Sequence, residues 1–153
     1  MELIKAENLA RKLMNENNLY GWGFAFSRGR RALGLCRIKS SGLNLNKTIQ
    51  LSKYMVLKLD DSEIKDTILH EIAHAIQWDK SGYLSHDNEW KEILISIGGS
   101  GERTADIDRN KIDYKYVGVC SKCGKEVGGW MRMPKRNFLH KNCGGVLKMK
   151  KLR

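Results

Sequence analysis

The spacing of apolar side chains divides the chain into segments of different period. Over residues 2–16, Leu3, Ile4, Leu9, Leu13 and Met14 recur at helical intervals, which predicts an amphipathic helix ended by the asparagines at 15–18. Over 20–26 the period becomes two: Trp22, Phe24 and Phe26 alternate with smaller residues, as on a strand. The run SRGRR reads as a turn and 32–38 as a second strand, so these two strands are expected to form a hairpin. A polar loop, SSGLNLN, leads to a short third strand at 48–51. Asp60, Asp61 and Ser62 then offer N-cap side chains to a long helix over about 63–78. A loop over 80–85 precedes another helix over 87–97, which the glycines between 98 and 101 stop. Residues 102–115 are polar and show no period. From Tyr116 the composition shifts to Cys, Gly, Lys and short apolar pairs, which marks a second unit. The 153 residues thus read as an α+β domain over 1–110 followed by a small one over 111–153.

The long helix carries the chemistry. Its sequence TILHEIAHAI sets His70 and His74 four apart, on one face and one turn from each other. Two imidazoles so placed can share one Zn²⁺ at about 2.0–2.1 Å. Glu71, about a quarter turn around, is placed to take a proton from the water at the metal's open position. Around them Ile68, Leu69, Ile72, Ala73, Ala75 and Ile76 leave little polar face, so the helix is expected to be buried. A buried glutamate between two histidines costs several kcal/mol unless it is paired or works on a metal, so chance is a poor explanation for all three. A catalytic zinc takes three protein ligands and one water. His86, twelve residues beyond His74, is the preferred third ligand if its loop folds back; Glu89 and Glu92 are rivals, because a carboxylate can fill that position. Tyr83 and Arg103 are candidates for stabilising a tetrahedral oxyanion, on sequence proximity alone.

The second unit pairs Cys120-x-x-Cys123 with His140-x-x-Cys143. Two ligand pairs of this spacing, sixteen residues apart, match a structural zinc ribbon, with Gly124 and the pair Gly144 and Gly145 allowing the turns. Two zinc ions are therefore expected, one catalytic and one structural. Cys36, left over in a strand, reads as a small buried hydrophobe.

Charge changes the picture further. The net charge is +11, and residues 111–153 contribute +10 of it, with twelve Lys/Arg against Asp113 and Glu126. A basic block of this kind suits phosphate. Trp130, Arg132, Lys135 and Arg136 are the residues expected to contact nucleic acid, the indole by stacking on exposed bases. Nothing approaches the apolar length of a membrane span, and the N-terminus lacks the continuous apolar run of a signal peptide. A monomeric intracellular protein, in cytoplasm, nucleoid or nucleus and neither secreted nor membrane-bound, is expected.

With WGFAF at 22–26, ALGLC at 32–36, IQLS at 49–52, LHEIAHA and the terminal CSKC and HKNC pairs, the chain resembles the SprT-like family, which includes the Spartan DNA–protein crosslink proteases. The resemblance covers nearly the whole length. It implies a minimal zincin-like metallopeptidase domain followed by a small zinc ribbon, with His86 as third ligand to the catalytic zinc. It also implies a DNA-dependent endopeptidase acting on DNA-bound or crosslinked proteins, with single-stranded or junction-containing DNA as partner. Two other readings stay open: a nucleic-acid-binding zinc module with an idle peptidase site, and a zinc peptidase acting on free protein.

Overall fold

The computed structural model describes residues 1–102 and 112–152. The chain forms two compact units, Met1–Lys111 and Ile112–Arg153. The first combines a three-stranded sheet with helices. In chain order it contains α1 (Leu3–Glu16), β1 (Gly23–Ser27), β2 (Gly34–Ser41), β3 (Asn44–Ser52), the short α2 (Lys53–Val56), α3 (Asp61–Ser81) and α4 (Asn88–Ser96). The second contains β4 (Tyr116–Cys120), β5 (Glu126–Trp130) and β6 (Leu147–Lys151). The protein is therefore a mixed α and β structure built on two small sheets.

The order of the first sheet is β1-β3-β2, and this corrects the expected hairpin. β1 runs parallel to β3, with Phe24 opposite Ile49 and Phe26 opposite Leu51. The hairpin is β2–β3, paired from Gly34 with Leu51 to Ser41 with Asn44. Its turn lies inside the segment read as a polar loop. Gly42 takes φ +60° at the first central position of a two-residue turn, which favours glycine and suits the twist of paired strands. β3 also begins four residues earlier than its apolar pattern announces, because Asn44, Asn46 and Thr48 alternate on its open face.

One face of this sheet carries Phe24, Cys36, Ile49 and Leu51, all buried, and α3 packs against β2 and β3 there. α1 packs on α3 and β1 through Ala6, Ala10, Leu13 and Met14. The alanines let the two helices approach closely, whereas Ile4, placed on the stripe by spacing, is 63% exposed. α3 starts at a capping box in which Glu63 accepts from the Asp60 N–H at 2.8 Å. It runs three residues past its expected end and stops at Gly82, whose φ of +74° is left-handed and whose N–H meets the Trp78 carbonyl at 2.8 Å. No helix among the described residues is long and apolar enough to cross a membrane.

Because a Cβ is disfavoured in that conformation, Gly82→Ala should lower the stability of the first unit by about 1 kcal/mol. Urea unfolding followed by tryptophan fluorescence checks this; an unchanged midpoint would contradict the role given to the cap.

Candidate metal centres

α3 projects His70 and His74 from adjacent turns, and the chain after Gly82 folds back to bring His86 between them. His86 Nε2 lies 3.1 Å from both His70 Nε2 and His74 Nε2. Two nitrogens bound to a tetrahedral zinc at about 2.0–2.1 Å stand roughly 3.3 Å apart, so this spacing suits a shared metal. The donor atoms of these three histidines lie within 4.8 Å of one another. Burial, then the neighbouring His86, pushes His70 down to about 4; burial, then His70 and His86, pushes His74 down to about 3. The two rings are thus neutral at ordinary pH, the form in which imidazole binds a metal.

Neither glutamate rival joins the group. Glu89 is held by the Ser81 hydroxyl at 2.6 Å and the Tyr83 hydroxyl at 2.8 Å, and Glu92 is exposed. Tyr83 also lies 2.8 Å from Asp87 Oδ2, and these two carboxylates, Glu89 first, push its hydroxyl up to about 12. Its proton is thereby engaged at the start of α4. Arg103 lies outside the described residues.

Glu71 is buried beside the cluster, and burial raises its carboxyl to about 7 against the lowering effect of the Cys36 backbone N–H. β2 is therefore part of the site. A Cβ on Gly34 would stand 2.6 Å from Thr67 Cγ2 and 2.9 Å from Glu71 Cγ, so only glycine lets the strand pass this close to α3. Cys36 itself is buried, and its thiol is raised to about 12 by burial and then by Glu71, which leaves it inert.

Two further side chains hold the arrangement. Trp90 is almost fully buried, with its ring 4.7 Å from those of His70 and His86 and stacked on His74 at 5.3 Å. Gln77, fully buried, grips the loop on both sides of His86. Its Nε2 donates to Ser85 Oγ at 3.1 Å and Asp87 Oδ1 at 2.9 Å, and its Oε1 accepts from the Ser85 N–H at 2.9 Å. The sequence carried one signal for it: an amide three residues after His74, one turn further along the same apolar face.

The second unit gathers Cys120, Cys123, His140 and Cys143. β4 is central, with β5 and β6 antiparallel on either side. Cys120 ends β4, and the two ligand pairs form matching knuckles. Gly124 N–H meets the Cys120 carbonyl at 2.9 Å, and Gly144 N–H meets that of His140 at 2.7 Å, both glycines having φ near +70°. A Cβ on Gly145 would collide with Cys120 Sγ, so this glycine lets the second knuckle close on the first. Cys120 and Cys143 Sγ lie 3.1 Å apart as free thiols, and the Cys123 backbone N–H holds Cys120 down to about 6. A low thiol pKa and converging sulfurs suit a thiophilic metal. Nearby, Trp130 is half-buried against Phe138, with ring centroids 5.5 Å apart, and Arg136 lies over the Phe138 ring at 5.0 Å. Arg132 and Lys135 are exposed.

The model of the SprT-like family matches residues 5–111. Among curated relatives, a "Protein SprT-like" of Lactiplantibacillus plantarum is 28% identical over 102 residues, covering 66% of this chain and 69% of the relative. One of Lactococcus lactis is 31% identical over 93 residues, covering 58% of this chain and 61% of its own length. One of Enterococcus faecalis is 26% identical over 116 residues, covering 74% and 71%.

If Gln77 fixes the loop bearing His86, Gln77→Leu should weaken metal binding at the histidine cluster by about 10- to 100-fold while leaving the cysteine cluster loaded. Competition with a chromophoric chelator measures both; equal affinity in the variant would show that the loop holds itself.

Proposed function

The chain belongs to the SprT-like family, and on that footing we propose that it is a zinc-dependent endopeptidase that cleaves DNA-bound or DNA-crosslinked proteins in a DNA-dependent manner. In this reading the first unit is a minimal zincin-like domain and the second a zinc ribbon that contacts DNA. The observation that supports the catalytic part is the meeting of three imidazoles, those of His70 and His74 held neutral by burial, with a buried glutamate next to His70 in the chain. His70, His74 and His86 would hold a zinc, which supplies a Lewis acid for a peptide carbonyl and activates water. Glu71 serves as the base: it takes the proton of the attacking water and passes it to the departing amine. The Cys36 N–H and the space left by Gly34 hold its carboxyl against β2. Cys120, Cys123, His140 and Cys143 would hold the structural zinc that the small second unit needs in order to fold.

The DNA-directed part rests on the second unit's charge and on the arrangement of Arg136, Phe138 and Trp130, a stacked cation and two rings suited to bases and phosphates. Arg132, Lys135 and Arg136 are the phosphate contacts, and Trp130 the base contact.

The protein purified without added metal should contain two zinc ions per chain. Glu71→Gln should keep both and lose peptide-bond cleavage by at least a hundredfold; His70→Ala, His74→Ala and His86→Ala should each lose one zinc and activity together. The decisive assay follows cleavage of a DNA-binding protein with and without single-stranded DNA. Stimulation by DNA that Arg132→Glu/Lys135→Glu/Arg136→Glu removes is the expected result. Cleavage unaffected by DNA would reduce the function to that of a general peptidase, and DNA binding without Glu71-dependent cleavage would leave a binding module.

A further inference from the structure

The first unit is close to neutral as a whole, but its charges are segregated. Residues 17–59, which contain the entire first sheet, hold eight Lys/Arg and no Asp or Glu. The remainder of residues 1–110 holds eight Lys/Arg and fifteen Asp/Glu. The strand alternation shows where part of this charge goes. Gly34, Cys36 and Ile38 of β2 face α3, so Leu35, Arg37 and Lys39 point to the opposite face, where they are exposed. In register beside them lie Gln50, Thr48 and Asn46 of β3. Arg28, Arg30 and Arg31 are exposed on the loop that enters β2, and Lys53 is exposed just after β3. Arg30 is seated over the Tyr54 ring at 4.4 Å. Among the described residues, Arg28, Arg31, Arg37, Lys39 and Lys53 have no ion pair, unlike Lys5 and Arg11 on α1.

We propose that this open sheet face of the first unit is a second docking surface for the phosphate backbone of a nucleic acid. It goes beyond the reading given above, which assigns that contact to the second unit, and it rests on the same nucleic-acid-directed role. The five residue steps from Gly34 to Lys39 span roughly 17 Å, the rise of about five phosphates along one strand of a duplex. The amides and hydroxyls of Asn46, Thr48 and Gln50 add neutral donors of the kind that fix a backbone in register. Charges that merely guard a sheet edge against aggregation account for Arg37 and Lys39, but not for the arginine loop or for the complete lack of carboxylates. An anionic membrane would be met by a broad apolar face among the cations, whereas this face sets a single exposed leucine of β2, Leu35, beside Asn46, Thr48 and Gln50. β2 links the surface to the site: its inner side packs on Glu71 through Gly34 and its outer side carries Arg37 and Lys39. A polynucleotide bound here lies one strand away from the catalytic carboxyl.

The test measures DNA affinity of the full-length, zinc-loaded protein against salt concentration, for labelled single- and double-stranded DNA. Arg31→Glu/Arg37→Glu/Lys39→Glu should reduce the slope of log affinity against log salt by about three on duplex, and lower affinity at least tenfold. The milder Arg37→Gln/Lys39→Gln should reduce the slope by about two; circular dichroism and zinc content verify that both variants fold. Cleavage of a free peptide should be unchanged in them. In Arg132→Glu/Lys135→Glu/Arg136→Glu, the sheet should retain its own salt-sensitive share of binding. Wild-type affinity and slope in both sheet variants would overturn the proposal and leave the ribbon as the DNA contact. Absence of salt-sensitive DNA binding by the wild type would overturn both. Binding to phosphatidylserine vesicles that the sheet variants lose, with DNA binding intact, would reassign the surface to a membrane.

Discussion

An apolar helix that carries ionisable groups into the interior is the constraint on which the first unit depends. Ile64, Ile68 and Ile72 of α3 are fully buried, and the same helix takes Glu71, His74 and Gln77 in with them. A carboxyl and an imidazole in such surroundings are costly unless something answers them. The fold answers them from different directions, while His74 Nδ1 stays buried without a hydrogen-bond partner among the described residues. β2 sends a backbone N–H to Glu71, the loop before α4 returns His86 to the other two histidines, and Gln77 fastens that loop from inside. Trp90 closes the cluster with ring contacts to all three imidazoles. The sheet, the loop and α4 can be understood as the means by which one helix keeps its polar residues buried.

The parts that were legible in the sequence are those whose pattern is local. The HEIAH spacing, the capping signals at Asp60 and the two cysteine pairs all lie within one turn of helix or one knuckle, where residue spacing determines geometry. The parts that were not legible depend on partners far away in the chain. The parallel pairing of β1 with β3 brings Phe24 beside Ile49 across a segment that contains β2, and no turn signal marks it. The first half of β3 reads as a loop because neither of its faces is covered: Asn44, Leu45 and Asn46 are all exposed. Gln77 reads as an ordinary polar residue until the Ser85 and Asp87 contacts identify it as a clamp. Gly34 is required by a side chain on α3 some forty residues later, a contact that composition does not reveal.

Net charge hid a similar feature. Summed over residues 1–110 the charge nearly cancels, which directs attention to the basic second unit. Divided by element, the same residues separate into a cationic sheet and two acidic helices, α3 and α4, and strand parity turns Arg37 and Lys39 to the side that α3 leaves open. Each unit then presents cations to solvent, and each also gathers a set of side chains able to hold a metal. The two sets differ in kind. Three imidazoles leave a coordination position for chemistry, whereas three thiols and an imidazole complete a closed shell.

That difference can be measured on the full chain by X-ray absorption at the zinc edge. Filled centres of both kinds give, averaged per zinc, about 1.5 sulfur neighbours near 2.3 Å and about 2.5 nitrogen or oxygen neighbours near 2.0–2.1 Å. Glu71→Gln should leave this average unchanged, because the carboxyl is not a ligand. An average of about three sulfurs and one nitrogen, with a single zinc per chain, would mean that only the second unit binds metal and that the histidine cluster is not a zinc site.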